Sequence, residues 1–271
     1  MTSHSLTVRG VPMRWEEVGD GPAVVLLHGI PTSPALWRHV LPHLQERARC
    51  LAFELVGFGQ SIPAGVQRDL SLSQQAEYLL AWLDAMEIER AVFAGHDLGG
   101  GVAQIAAVRA PERCAGLVLT NAVGYDSWPI PSVKMLKAAS PVLRQLPPRT
   151  VQLVLATLVA RGHDNVERAK ESLELHKQPY LEHDGAAALA RQVSGLHVRD
   201  TLAVADRIRE LDVPAQVVWG AADQLQKVDY GERFAWDLRT TLWRIEGGKH
   251  FTPEDHPETI AKAVLHVLDD G

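Results

Sequence analysis

Residues 91–101, AVFAGHDLGGG, constrain this chain more than any other stretch. Ala91, Val92, Phe93 and Ala94 form an apolar run that reads as a buried strand. A glycine-rich corner follows, and then VAQIAAVRA reads as a helix. A side chain held at such a strand-to-helix corner stands above the carboxyl edge of a sheet. That is the geometry of a nucleophile elbow, Gly-x-nucleophile-x-Gly. Here the pattern is Gly95, His96, Asp97, Leu98, Gly99. The glycines permit strained dihedrals and close packing of helix on strand. The central residue is an aspartate, so the chemistry expected at this corner is that of a carboxylate.

The remaining chain supplies a sheet for that corner. Residues 6–9 and 13–18 read as two edge strands joined by a turn at Gly10 and Pro12. AVVLLHG at 23–29 is an apolar run ending in glycine, as suits a central parallel strand. Residues 34–45 have helical spacing in Leu36, Val40, Leu41 and Leu44, with Pro34 in the first turn. A strand at 48–53 precedes the turn GFGQS, and 71–86 is an amphipathic helix. After the elbow come a strand at 116–119, a helix around 202–211, strands at 215–219 and 241–245, and a last helix at 258–268. Strands alternating with helices predict a mostly parallel sheet flanked by helices, an α/β fold.

The alternation stops between 127 and 195. That stretch carries Pro129, Pro131, Pro141, Pro147 and Pro148, with helical pieces around 151–160, 167–176 and 185–195 and no strand pattern. It reads as a helical insertion. The expected division is a core of 1–126 and 196–271 with an inserted domain at 127–195.

The length of 271 residues suits such an arrangement. A net charge of −6 argues against nucleic acid or an anionic membrane as partner, and no stretch is apolar for long enough to span a bilayer. Cys50 and Cys114 lie beside apolar runs and read as buried free thiols. Together with an N-terminus lacking a signal-type apolar core, they predict a cytoplasmic protein. The histidines show no metal-like clustering, His176 and His183 coming nearest, so neither a metal nor an organic cofactor is expected. The expected partner is a small-molecule substrate, and the expected state a monomer or homodimer.

An aspartate that attacks saturated carbon becomes an alkyl ester. Water activated by a nearby base, usually histidine, must then hydrolyse it. GGKHF supplies His250 after the final strand, and VVWGAAD supplies Asp223 after the strand before it. The order nucleophile, acid, histidine fits this topology, and all three fall at strand ends. Asp223 is expected to orient His250 and stabilise its charged form; Asp126 and Glu254 are its rivals. Ile30, in HGIP, and Leu98 are expected to offer backbone N–H groups as an oxyanion hole. The alternative for HGIP is a tight turn with a cis proline at Pro31. His28 and His96 flank the site and are expected to pack or hydrogen-bond locally.

The motifs HGIPTS, LVGFGQS, GHDLGG, WGAAD and KHFTPEDHPETI stand in the order of the α/β-hydrolase fold superfamily, which the chain resembles over nearly its whole length. The elbow aspartate, HGIPTSPALWR and HFTPEDHPETI resemble its aspartate-nucleophile branch, the haloalkane and haloacetate dehalogenases and epoxide hydrolases. The resemblance implies that 127–195 is a cap roofing the site and selecting substrate.

Departures are informative. Haloalkane dehalogenases usually carry tryptophan after the nucleophile and often asparagine after the HG pair; here Leu98 and Ile30 stand there. Haloacetate dehalogenases tend to have arginine at the position of Leu98. Epoxide hydrolases usually place two cap tyrosines over the epoxide oxygen, sometimes one replaced by histidine. Here Tyr180, with His176 and His183 nearby, is the candidate proton donor, Tyr125 stands at the cap entrance, and Trp128 is a candidate halide donor. Glu54 replaces the usual aspartate before the LVGFG turn, a structural change. Asn121 ends the strand where some dehalogenases carry their acid, which favours Asp223. The resemblance implies a hydrolase working through an aspartyl ester, with epoxide opening slightly ahead of carbon–halogen cleavage. An esterase or lactonase, or a binding protein on the same fold, is the alternative.

Overall fold

The computed structural model describes residues 2–271, apart from the side chain of Ser132. Its centre is one eight-stranded sheet: β1 Thr2–Val8, β2 Val11–Val18, β3 Ala23–Leu27, β4 Arg49–Glu54, β5 Ala91–His96, β6 Cys114–Thr120, β7 Ala215–Gly220 and β8 Leu242–Ile245. The spatial order is β1-β2-β4-β3-β5-β6-β7-β8. β1 and β2 are antiparallel, β2 pairs antiparallel with β4, and β3 to β8 all run parallel. This is the expected α/β-hydrolase fold.

The parallel strands are apolar throughout because both faces of the sheet are covered. Val25 and Leu27, with Phe93, Leu117 and Trp219, point into one core. Their neighbours Val24, Leu26, Val92, Ala94, Val118 and Val218 point into the other. Helices α1 Leu72–Ala85 and α2 Leu98–Arg109 cover the first face, through Leu79, Val102 and Ala106. Between β6 and β7 lie α3 Pro131–Ala138, a short turn at Ser140–Leu143, α4 Pro148–Gly162, α5 Val166–Glu182 and α6 Gly185–Ser194. Beyond β7, α7 Val228–Asp237 packs Phe234 into the first core, and α8 Pro257–Asp269 covers the second face with Ile260 and Val264. No helix among the described residues is long and apolar enough to cross a membrane. Both cysteines are free and buried.

Three local readings are corrected. Pro12 is not in the first turn but inside β2, opposite Thr7. It precedes Arg14, where pairing with β4 begins, so its missing N–H removes no bond to β4. The single helix expected over 34–45 is a 3-10 segment, Pro34–Trp37, and one α-turn, Leu41–Leu44. Pro42 cannot donate to the carbonyl of Arg38, which interrupts the ladder. The helix expected around 202–211 is a short helix at Arg199–Leu202 followed by a 3-10 segment at Ala205–Glu210. In the insertion, α3 was not legible as a helix. It begins on Pro131, a residue well suited to a first turn.

Candidate active site

Asp97 sits between β5 and α2 with φ 49° and ψ −120°, a strained conformation for a residue with a side chain. The surroundings hold it there. Its carbonyl accepts N–H groups from Gly100, Gly101 and Val123 at 3.1–3.2 Å. A Cβ on Gly99 would collide with the backbone of Leu27 and His28, so only glycine lets α2 approach β3 this closely. A Cβ on Gly29 would strike the Asp97 carboxylate itself.

That carboxylate has two unlike oxygens. Oδ2 accepts the Ile30 N–H at 3.0 Å, and the Leu98 N–H also supports the group. Oδ1 lies 3.8 Å from His250 Nε2. His250 Nδ1 lies 2.8 Å from Asp223 Oδ2, which fixes the tautomer: Nδ1–H donates to Asp223, and the Nε2 lone pair faces Asp97. Asp223 Oδ2 also accepts from Asn121 Nδ2 at 2.7 Å, and its Oδ1 accepts the Leu225 N–H at 2.7 Å. Each group stands at the carboxyl end of a different parallel strand. The sheet therefore brings together residues 30, 97, 121, 223 and 250.

Burial pushes the Asp97 carboxyl up, against the pull of His250 and the backbone N–H groups. For Asp223 burial also raises, but the His250 charge and hydrogen bond, with Leu225 and Asn121, bring the net shift below the usual range. Burial alone would depress His250; the Asp223 and Asp97 carboxylates overcome it and raise it above its ordinary value. His28 and His96 are pushed down to about 3, chiefly by burial, and stay neutral. His28 donates to the Gly29 carbonyl and accepts the Leu55 N–H, while His96 donates to the His250 carbonyl at 2.9 Å. The Ile30–Pro31 peptide is cis.

A pocket opens over Asp97 and His250. Its walls are apolar: Ile30, Leu98, Val123 and Phe251 below, and Trp128, Ile130, Leu158 and Leu189 from the insertion side. The polar side chains among its lining are Asp97, His250 and Gln226.

Four expected substrate contacts do not fit the roles read for them. Tyr180 is buried but outside the pocket lining, and its hydroxyl donates to Gln192 Oε1 at 2.7 Å. Tyr125 is outside it too. Its hydroxyl goes to Asp237 at 2.7 Å, and the Arg233 guanidinium covers its ring at 3.7 Å. His176 contacts Ser33 and Glu254 instead. Trp128 does line the pocket, but its indole N–H donates to Thr201 Oγ1 at 2.8 Å. Each offers a donor in the sequence, and in each the fold has used it. Among the rival acids, Asp126 accepts from Tyr230 at 3.2 Å, and Glu254 is bound by Arg38 and His163; neither holds His250. Glu54 is buried and closes the following turn by accepting the Ser61 N–H.

Two features were missed. Gln226 follows the Asp223 loop and is the third polar side chain of the pocket. Its only sequence signal is its place three residues after the acid. The other is a buried ionic cluster joining the insertion to the His250 loop. The Gly162 carbonyl accepts the His250 and Phe251 N–H groups at 2.8 and 3.1 Å. His163 lies 2.8 Å from Asp255 and 3.2 Å from Glu254, and Glu254 also meets Arg38 and, at 3.4 Å, His176.

Strand order, elbow and strand-end residues together define a class, and the comparisons agree. The chain belongs to the α/β hydrolase fold family, which it matches over residues 22–257. An α/β hydrolase fold protein from Burkholderia ambifaria superposes with TM-score 0.87 at 27% identity, over 97% of this chain and 96% of that one. The haloalkane dehalogenase of Mesorhizobium japonicum is 36% identical over 118 residues, 43% of this chain and 38% of that protein. Bifunctional epoxide hydrolase 2 of Sus scrofa is 34% identical over 134 residues, 49% of this chain and 24% of that protein. The alignments thus span less than half the length of either relative. Relatives carrying both names agree with the resemblance seen in the sequence.

Proposed function

We propose that this α/β hydrolase displaces a leaving group from a saturated carbon by forming an ester on Asp97, and that His250 then hydrolyses the ester. The observation that carries this reading is the asymmetry of the Asp97 carboxylate. Oδ2 is tied to backbone N–H, while Oδ1 faces the pocket beside His250. Oδ1 forms the C–O bond as the bond to the leaving group breaks, and the electron pair departs with that group. Oδ2 becomes the ester carbonyl oxygen, already in the hole that stabilises negative charge when water adds. His250 Nε2 takes one proton from that water as its oxygen attacks the carbonyl carbon. Collapse expels the alkyl group with the former Oδ1 as an alcohol, which recovers the proton from His250, while the water oxygen stays in the Asp97 carboxyl group. Asp97 is released as an acid and ionises, so substrate and water give alcohol, leaving anion and a proton. Asp223 holds the imidazole and stabilises its charged form. Residues 127–195 serve as the cap over the pocket.

The proposed substrate is an apolar alkyl halide. A halide leaves as a stable anion, whereas an epoxide oxygen needs a proton. Tyr180, Tyr125 and His176 lie outside the pocket with their polar atoms engaged, which removes the support for epoxide opening drawn from sequence. The Mesorhizobium japonicum relative favours the halide reading. Epoxide hydrolysis is the second reading, favoured by the Sus scrofa relative.

The test is trapping. With a panel of haloalkanes and epoxides, His250→Ala should accumulate protein bearing the alkyl group on the peptide containing Asp97, and Asp97→Asn should not. In heavy-oxygen water a single turnover should put label into the Asp97 carboxylate. Label found only in product would mean direct attack by water and would overturn the covalent reading.

A further inference from the structure

Five glutamines are buried: Gln75, Gln104, Gln192, Gln216 and Gln226. Four are structural, each using its amide N–H to hold a backbone carbonyl: Gln75 that of Val56, Gln104 those of Gly100 and Val123, Gln192 that of Gly57, and Gln216 those of Val217 and Thr241. Gln226 is different. Only 4% of it is exposed, yet among the described residues its amide makes no hydrogen bond, and Oε1 is buried without a partner. It is not loosely placed. Its carbonyl accepts the Trp219 indole N–H at 2.9 Å, and the turn before it is fixed by Leu225 N–H on Asp223. The fold therefore pins the backbone of Gln226 beside the acid and presents an unpaired amide to a pocket whose other polar side chains are Asp97 and His250.

We infer that Gln226 is the leaving-group donor of this site. Its amide N–H receives the departing halide and so does the work that the side chains of Leu98 and Ile30 cannot. This rests on the proposed Asp97 displacement. The amide Nε2 donates to no group among the described residues, and the side chain lies in the pocket where negative charge must be received, so its N–H groups are free for an anion. In the displacement, the electron pair of the breaking carbon–halogen bond goes to the halogen, which leaves as halide against the amide N–H. No proton is transferred, so a carboxamide suffices.

The test uses Gln226→Met, which keeps length and removes the donor, and Gln226→Glu, which replaces it with a charge that repels halide. Alkylation is measured as mass gain in the His250→Ala background with one alkyl chain carrying chloride, bromide or iodide. A hydrogen bond to a charged group corresponds to roughly 10- to 100-fold, so Gln226→Met should slow chloride displacement by about that factor. The effect should shrink through bromide to iodide, whose dispersed charge depends least on a donor. Gln226→Glu should be slower still. Titration of the otherwise unaltered protein with sodium bromide, followed by tryptophan fluorescence, should show weaker binding in both variants.

Stability separates a donor from a structural amide: Gln226→Met should melt at or above the parent temperature, and a fall of several degrees would overturn the assignment. Equal slowing across the three halides, or none, would also overturn it. Failure of the His250→Ala parent to gain mass from any halide would sink the Asp97 reading instead.

Discussion

Asn121 is the residue on which the site's loops converge. Its Nδ2 donates to Asp223 at 2.7 Å, and its Oδ1 accepts from the Gly220 N–H at 3.1 Å and the Thr252 hydroxyl at 3.0 Å. It thus ties the end of β7 to the loop carrying His250 and sets where Asp223 stands. Under the proposed mechanism, Asn121→Leu should slow ester hydrolysis by about 10-fold while leaving alkylation nearly unchanged, because there only the second step uses an oriented His250. It should also cost about 1–3 kcal/mol of stability through the orphaned Gly220 amide. Burst amplitude against steady-state rate, with denaturant unfolding, checks both. The His250 titration gives a second expectation. Its upward shift comes from Asp223 and, secondarily, Asp97, both opposing burial. Esterification removes the Asp97 charge, so the imidazole should titrate lower in the alkyl-enzyme than in the free enzyme and become the free base when needed. The acid limb of ester hydrolysis should therefore lie below the His250 titration followed by NMR in the free protein; coincidence of the two would refute the coupling.

At the scale of elements, the insertion is fastened beside the candidate site. The C-terminus of α4 offers the Gly162 carbonyl to His250, and His163 and His176 meet Glu254 and Asp255 from the His250 loop. Burial would raise Glu254, but His163, His176 and Arg38 hold it well below the ordinary carboxylate range. Glu254→Gln removes the carboxylate that Arg38 and His163 share, leaving Arg38 with Glu171 and His163 with Asp255, and should cost about 2–3 kcal/mol. Glu171→Gln breaks an exposed pair to Arg38 and should cost less than about 1 kcal/mol. Thermal unfolding of the two variants measures the contrast. This fastening was not legible in sequence, since 38, 163, 176 and 254 meet only in space. The eight strands, and the places of residues 30, 97, 98, 223 and 250 at strand ends, were legible, because the central strands are marked by local apolar runs ending at turns. Tyr180, Tyr125, His176 and Trp128 show the limit: a sequence reveals a donor but not the Gln192, Asp237, Glu254 or Thr201 that takes it. Pro42 and Pro12 show a smaller one, where a local rule competes with tertiary packing.

Across the molecule, two titrations of opposite consequence bracket the working range. In the proposed mechanism His250 must be neutral to activate water, so ester hydrolysis should rise with pH through its elevated titration. His163 must be charged to hold the insertion. Burial would lower it, but Asp255 and Glu254 raise it to about 9. With a folded value above the unfolded one, its contribution is fully present below about 6.5 and is lost as pH climbs through about 9. Glu254 acts in the other direction: its contribution holds above its unfolded titration and fades as pH falls toward its depressed folded value. With a substrate that does not titrate and ester hydrolysis limiting turnover, kcat should therefore follow a bell, with an acid limb from His250 and an alkaline limb from loosening of 127–195. His163→Gln removes the second titration and also lifts a charge that lowers the first. Its kcat should be lower near neutrality, with the acid limb moved slightly upward and the alkaline limb gone. Protection of α4 and α5 amides from hydrogen exchange should be low at every pH, where the parent loses it only above about pH 9. An unchanged bell in His163→Gln would detach the alkaline limb from the insertion and leave His163 a structural partner of Asp255 alone.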